Sequence, residues 1–276
     1  MPLPADTLEV LAPAAPRSSV KALSYAIFRH PSAATFEYRA YVRGLCWNIR
    51  MNRLLFPGWV TVVHADDHSR SRYGRLFSAH GALVEEGPRG EGGLGESMLW
   101  RLLPVLDGPY TRVLCRDADA ITTYRETGFV ERWLGTGKAV MALYDDPAHR
   151  GARLMGGMVG FDCVRFRQLT GITTWPALIG GFDLGGRGSD QSLLNDRILP
   201  RLAREVWSIN ARWRLGRSRP HHVDPRLWEA DLNCRHIGSA GVVDLSVIRF
   251  FRRFDPNPAL DALEAAFPEV FYHHAP

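Results

Sequence analysis

Two carboxylates, Asp117 and Asp119, close the run Tyr110-Thr-Arg-Val-Leu-Cys-Arg-Asp-Ala-Asp-Ala120. Acids spaced i, i+2 offer hard oxygen ligands to a divalent cation. A cation bridging them to a diphosphate would cancel the repulsion between anionic groups. The β-prone stretch Val113-Leu-Cys115 in front of them reads as a buried strand. A strand that stops in paired acids delivers them to the carboxyl edge of a sheet, where α/β proteins place ligands. The cation expected here is Mn²⁺ or Mg²⁺. A lone Asp-x-Asp is also a common surface turn, so its meaning rests on the residues around it.

Four further constellations bear on that chemistry. Arg101 interrupts the apolar pattern of a short helical segment just before the acidic strand. An arginine fork there could orient a metal-binding carboxylate or contact a nucleotide, and a plain surface arginine is the alternative. Asp145 and His149 could hydrogen-bond sugar hydroxyls or simply cap a turn; Gly156 and Gly157, a little further on, would let a backbone approach a ligand closely or only mark tight packing. Asp190 and Gln191 fall in the first turn of a helix, where an acid is favoured whatever its function. Beside a sugar, the same pair could hold an acceptor or stabilise a developing oxocarbenium charge. His236 is a candidate third metal ligand beside two Asp oxygens, with His221 and His222 competing for that role or all three structural.

The elements that must position these groups follow from periodicity. Val20–Phe28 and Trp59–Ala65 read as strands, and Tyr38–Asn52, with Tyr41, Leu45 and Ile49 at helical spacing, as a helix between them. A glycine-rich loop, Gly87 to Gly95, leads into a helix over Glu96–Leu103 that Pro104 should end. Ala139–Tyr144 and Met155–Phe161 are further strands, and Ser189–Leu202 a helix with Ser189 at its N-cap. Strands alternating with helices imply a mainly parallel α/β sheet covered on both faces. We expect one domain over 20–276, preceded by a flexible leader over 1–19.

Composition bounds the partners. The 276 residues are ample for a real core, and 46% hydrophobic with 23% charged residues describes an ordinary globular chain. No apolar run approaches the roughly 20 residues of a membrane span, and the first 19 residues lack the basic and apolar regions of a signal peptide. The four cysteines, Cys46, Cys115, Cys163 and Cys234, form no Cys-x-x-Cys pair, which argues against a disulfide scaffold or zinc site and for a reducing, cytoplasmic setting. The net charge of +5 suits a nucleotide diphosphate or an anionic membrane surface. Nucleic acid is disfavoured because no zinc-finger, RNP-type or basic-helix pattern occurs. The arginine–aromatic clusters at 212–219 and 249–253 are either solvated faces or peripheral contacts with the inner face of a membrane or an acidic substrate.

Taken in order, these pieces resemble the glycosyltransferase A-fold (GT-A) enzymes, and within them bacterial sugar transferases of polysaccharide synthesis. The resemblance is carried by Trp100-Arg101, Arg116-Asp-Ala-Asp119, Arg125-Glu126, Asp145–His149, Gly156–Gly160 and Asp190–Leu193. A more distant one, to the glycogenin-like retaining transferases, rests on the Asp-Gln helix and on His236 close to Gly238 and Gly241. It implies a Rossmann-like single domain that moves a sugar from a nucleotide-diphosphate donor, a UDP-sugar, to a saccharide, glycoconjugate or other hydroxyl. It further implies metal ligation by Asp117, Asp119 and His236, and donor contacts from Ser24, Tyr25, Ala26, Arg101, Arg116, Asp117, Asp145, His149, Gly156 and Gly157. Asp190 and Gln191 would stand at the reacting face. A sugar nucleotidyltransferase and an inactive nucleotide-sugar-binding protein of the same fold are the rival readings, and the stereochemistry is open.

Overall fold

The structure is a computed structural model that describes residues 20–29, 35–88, 93–144, 153–186, 188–210, 253 and 256–271. Its centre is a seven-stranded sheet in the order β3-β2-β1-β4-β6-β5-β7. The strands are β1 (Val20–Ile27), β2 (Trp59–Ala65), β3 (Ala82–Glu86), β4 (Tyr110–Arg116), β5 (Val140–Tyr144), β6 (Met158–Asp162) and β7 (Val206–Asn210). All run parallel except β6, which lies antiparallel to both β4 and β5. This is the mainly parallel α/β sheet expected, with one reversed strand.

The order of the strands matters more than their number. From β1 the chain steps outward through β2 to β3, then returns to place β4 on the other side of β1. The carboxyl ends of β1 and β4 therefore flank a topological switch point, the place where open α/β sheets form a ligand crevice. Asp117 is the first residue beyond β4.

Helices cover both faces. On one, α1 (Thr35–Leu55) packs Val42, Leu45, Ile49 and Leu55 against Leu23, Val63 and Leu114. On the other, Leu99, Leu102, Val105 and Phe166 pack against Ala22, Val62, Val113 and Cys115. Strand alternation splits the sheet cleanly: Leu23 and Tyr25 face the α1 layer, whereas Ala22 belongs to the opposite core. Each large apolar side chain so buried contributes about 1.5–3 kcal/mol.

Three local readings are corrected. Pro104 does not end the helix before β4. The chain runs from α3 (Gly93–Leu99) through a tighter 3₁₀ turn (Trp100–Leu102) into α4 (Leu103–Leu106), whose first turn accommodates Pro104 without loss of a hydrogen bond. Ser189 is not the N-cap: Gly188, at φ 84°, holds that position, and the helix Ser189–Leu202 carries a π turn over Leu194–Ile198. The segment after β2, left unassigned from sequence, forms α2 (Asp67–His80) and β3. There Asp66 caps Ser69 N at 2.7 Å and Gly81 ends the helix at φ 108°.

Cys46, Cys115 and Cys163 are buried and free. Cys234, the 1–19 leader, the 212–219 cluster and most of 249–253 lie outside the described residues. Among the described residues, no helix is long and apolar enough to cross a membrane.

Candidate functional site

The acidic turn at the end of β4 gathers side chains from segments far apart in sequence. Arg101, presented by the 3₁₀ turn, donates from one guanidinium nitrogen to Asp117 Oδ1 and from the other to Asp190 Oδ2 at 2.6 Å. Arg101 and Asp190 are almost fully buried, while the Asp117 side chain remains 39% exposed. The cluster is thus closed on its inner side and open at the sheet edge. Burial alone would lower the pKa of Arg101, but the two carboxylates beside it outweigh burial and hold it above the ordinary arginine value. Arg101 is the carboxylate-orienting fork rather than a surface arginine.

Gly156 and Gly157 thread between these charges. A Cβ on Gly156 would strike the Arg101 guanidinium and come within 2.7 Å of Asp190 Oδ2, and one on Gly157 would overlap the Asp117 carboxylate. Tight packing, the second of the two readings of these glycines, is what the structure shows, since the groups approached are the protein's own.

Asp119 lies within the turn and forms no ion pair among the described residues. Its pKa is raised to about 6, first by burial and then by the charge of Asp117. No group of three or more His, Cys, Asp or Glu that could hold a metal occurs among the described residues. Two hard carboxylates, one of them destabilised as an anion by the other, nevertheless fit a Mg²⁺-like or Mn²⁺-like ion. Such ions are commonly held by one or two carboxylates, with water and substrate phosphate completing the shell.

Two expected donor contacts are corrected. Arg116 points to the opposite face of the sheet from Asp117, because adjacent strand residues alternate. There it is 1% exposed, bonded to Glu126 Oε2 at 2.7 Å and to the Gly157 carbonyl at 2.9 Å. It pins the glycine pair from behind and cannot reach a donor. Tyr25 is likewise fully buried on the α1 side, its hydroxyl accepting from Asn52 Nδ2 at 3.1 Å. Ser24 lies on the correct face but is fully buried, with no hydrogen-bond partner for its Oγ among the described residues, and Ala26 is half-buried. The adjacent Asp190 and Gln191 part company. Asp190 turns in to Arg101, whereas Gln191 is half-buried beside an open groove of about 490 Å³ with Arg153, Asn195 and Leu199. Asp145, His149, His221, His222 and His236 lie outside the described residues.

Sequence reading missed the neutral half of the site. Asn48 of α1 donates to the carbonyls of Ala118 (3.2 Å) and Ala120 (2.9 Å) and accepts from Thr122 N (2.9 Å). Asn52, one turn on, bonds Tyr25 OH, Thr61 Oγ1 at 3.1 Å and Thr122 Oγ1 at 3.0 Å. Two asparagines four apart on the face that also carries Leu45 and Ile49 were the available signal, because a buried amide must find partners.

No family model and no curated protein matches the sequence. Solved structures do. Glucosyl-3-phosphoglycerate synthase from Mycobacterium tuberculosis, in complex with Mn²⁺ and uridine-diphosphate-glucose, is similar at 18% identity and TM-score 0.40, covering 74% of this chain and 73% of that one. The 4-diphosphocytidyl-2C-methyl-D-erythritol synthase from Anaerococcus prevotii DSM 20548 is similar at 10% identity and TM-score 0.45, covering 86% of this chain and 96% of that one. At these levels the likeness carries no residue roles, and the site rests on its own geometry.

Proposed function

We propose that this protein is a metal-dependent glycosyltransferase that moves a sugar from a nucleotide-diphosphate donor, a UDP-sugar, to a saccharide or other hydroxyl acceptor. One observation carries the reading. At the switch point of a mainly parallel sheet, Asp117 and Asp119 emerge from β4 while Arg101, Asp190 and the Gly156–Gly157 step converge on the same spot. A lone surface Asp-x-Asp turn would have no reason to recruit a buried arginine, a second buried carboxylate and two glycines.

In this reading Asp117 and Asp119 hold Mn²⁺ or Mg²⁺, which when bound acts as a Lewis acid toward the diphosphate leaving group. Asp117 serves both sides, with Oδ1 on Arg101 and a side chain still 39% exposed. Arg101 keeps Asp117 and Asp190 in fixed relation and offsets part of their negative charge. Asp190, already oriented, stands where positive charge would develop on the sugar ring. The third metal ligand and the sugar-hydroxyl contacts belong, in the proposal, to His236, Asp145 and His149. Such a protein would work in the cytoplasm, with the arginine–aromatic clusters available to the inner membrane face.

Calorimetric titration of UDP with and without Mn²⁺ tests this. Wild-type protein should bind only with the metal, and Asp119→Ala should lose that binding while keeping its fold. Equal UDP affinity with and without metal would remove the assignment.

A further inference from the structure

The acidic turn has few hydrogen bonds of its own. Ala120 N reaches back to Asp117 O at 3.2 Å, but the carbonyls of Ala118 and Ala120 point into the protein rather than along the chain. Both end on one side-chain nitrogen, Asn48 Nδ2, and the oxygen of that amide receives Thr122 N. A single amide therefore satisfies three backbone groups on alternate residues, 118, 120 and 122. The Ala118 carbonyl belongs to the peptide plane that supplies the nitrogen of Asp119, so anchoring it sets the direction in which the Asp119 side chain leaves the turn.

The anchor is one rung of a ridge. Gly44, Asn48 and Asn52 are spaced by four and so share one face of α1. At Gly44 the helix touches the turn itself: a Cβ there would stand 2.7 Å from Ala118 O and 3.3 Å from Asp119 Cα. At Asn52 the ridge runs on into Tyr25, Thr61 and Thr122. Asn48 is fully buried, so it touches no ligand and water cannot replace it.

We propose that Asn48 is a positioning residue for the cation site, acting on Asp119 through the main chain of the acidic turn. This rests on the reading of Asp117 and Asp119 as metal ligands. Removal of groups that orient a metal ligand commonly weakens metal binding by about 10–100-fold.

The test measures Mn²⁺ uptake in the presence of UDP, by loss of the free-ion paramagnetic resonance signal, in four folded proteins. Asn48→Ala removes the anchor. Gly44→Ala drives a methyl group into Ala118 O and so displaces the turn from the same side while favouring the helix. Phe77→Leu, in the core of α2 remote from the turn, serves as a control matched by melting temperature. Wild type and Phe77→Leu should bind Mn²⁺ alike, and both ridge variants should bind about tenfold more weakly or worse. If Asn48→Ala does not fold, Gly44→Ala carries the test alone. Ridge variants with wild-type affinity, or a control that weakens equally, would overturn the positioning role and leave the metal site standing. Wild-type protein that takes up no Mn²⁺ would overturn the metal site itself, and this role with it.

Discussion

Two polar systems flank the end of β4, and they are built on opposite physical terms. On one face Arg101 joins Asp117 and Asp190 in a charged cluster open to the sheet edge at Asp117. On the other, Asn48, Asn52, Tyr25 and Thr122 form an uncharged network that is wholly buried. The charged side holds groups that a ligand could engage. The neutral side holds backbone, which needs direction but no charge, and amides achieve that without the large desolvation penalty of a buried ion. Arg116 and Glu126 are the exception, a salt bridge placed in the same interior as the neutral network.

That exception should give the largest effect. The Arg116 and Glu126 side chains are 1% and 0% exposed, so removing either leaves the other charge buried without this salt bridge. Arg116→Met should destabilise the protein by about 3–5 kcal/mol, read from urea unfolding. A loss below about 1 kcal/mol would mean that water reaches Glu126 and that the two faces do not differ in dryness.

Next comes the cluster itself. Arg101→Met leaves Asp190 buried without its partner, while Asp117 can relax toward solvent through its exposed side. We expect a loss of about 2–3 kcal/mol, together with weaker Mn²⁺-dependent UDP binding. Adding Asp190→Asn should return part of the stability but none of the turnover, since the repaired pair is neutral. Strictly additive losses in the double variant would show that Arg101 and Asp190 do not act as a unit.

This contrast also explains what could be read without coordinates. Carboxylates at a strand end, an arginine inside an apolar pattern and paired glycines are conspicuous residue types. Asp117, Arg101, Asp190, Gly156 and Gly157 do meet in space. Arg116 and Tyr25 were misdirected because a motif names residues without their side of the sheet. Strand parity held the answer, since Arg116 must share a face with Leu114 and oppose Asp117. The α2 helix was passed over because its first turns are polar and its core residues, Tyr73, Leu76, Phe77 and His80, crowd its second half. The reversal of β6 depends on long-range pairing that no local pattern in Met158–Asp162 encodes.

A smaller effect concerns Asp119 and pH. Its folded pKa, raised to about 6, lies above the ordinary carboxylate value of 3.8. Folding therefore favours the protonated form. The associated stability is complete below about pH 4 and is lost as pH rises through about 6. Asp119→Asn should remove that loss, making the metal-free variant more stable than wild type above pH 6 by about 1–2 kcal/mol after solvent screening. Unfolding curves at pH 4 and pH 7 check it, and parallel pH dependence in the two proteins would place Asp119 in open water. Saturating Mn²⁺ should erase the difference by favouring the carboxylate.

The smallest effect on stability should come from Gln191, and its value lies in that smallness. Its side chain forms no hydrogen bond among the described residues and borders the open groove on the flank of the helix away from Arg101. Gln191→Ala should shift unfolding by no more than about 0.5 kcal/mol. A change in rate could then not be blamed on the fold. If Gln191 meets the acceptor or the sugar as the bond breaks, the variant loses kcat with little change in donor affinity, and the groove becomes the approach path of the acceptor. If kcat holds at the wild-type value while Asp190→Asn abolishes it, the reacting face belongs to the charged cluster alone. The helix Ser189–Leu202 would then present one functional side chain rather than two, and its outer flank would serve to hold Leu154 through Asn195, whose Oδ1 accepts from Leu154 N at 2.9 Å.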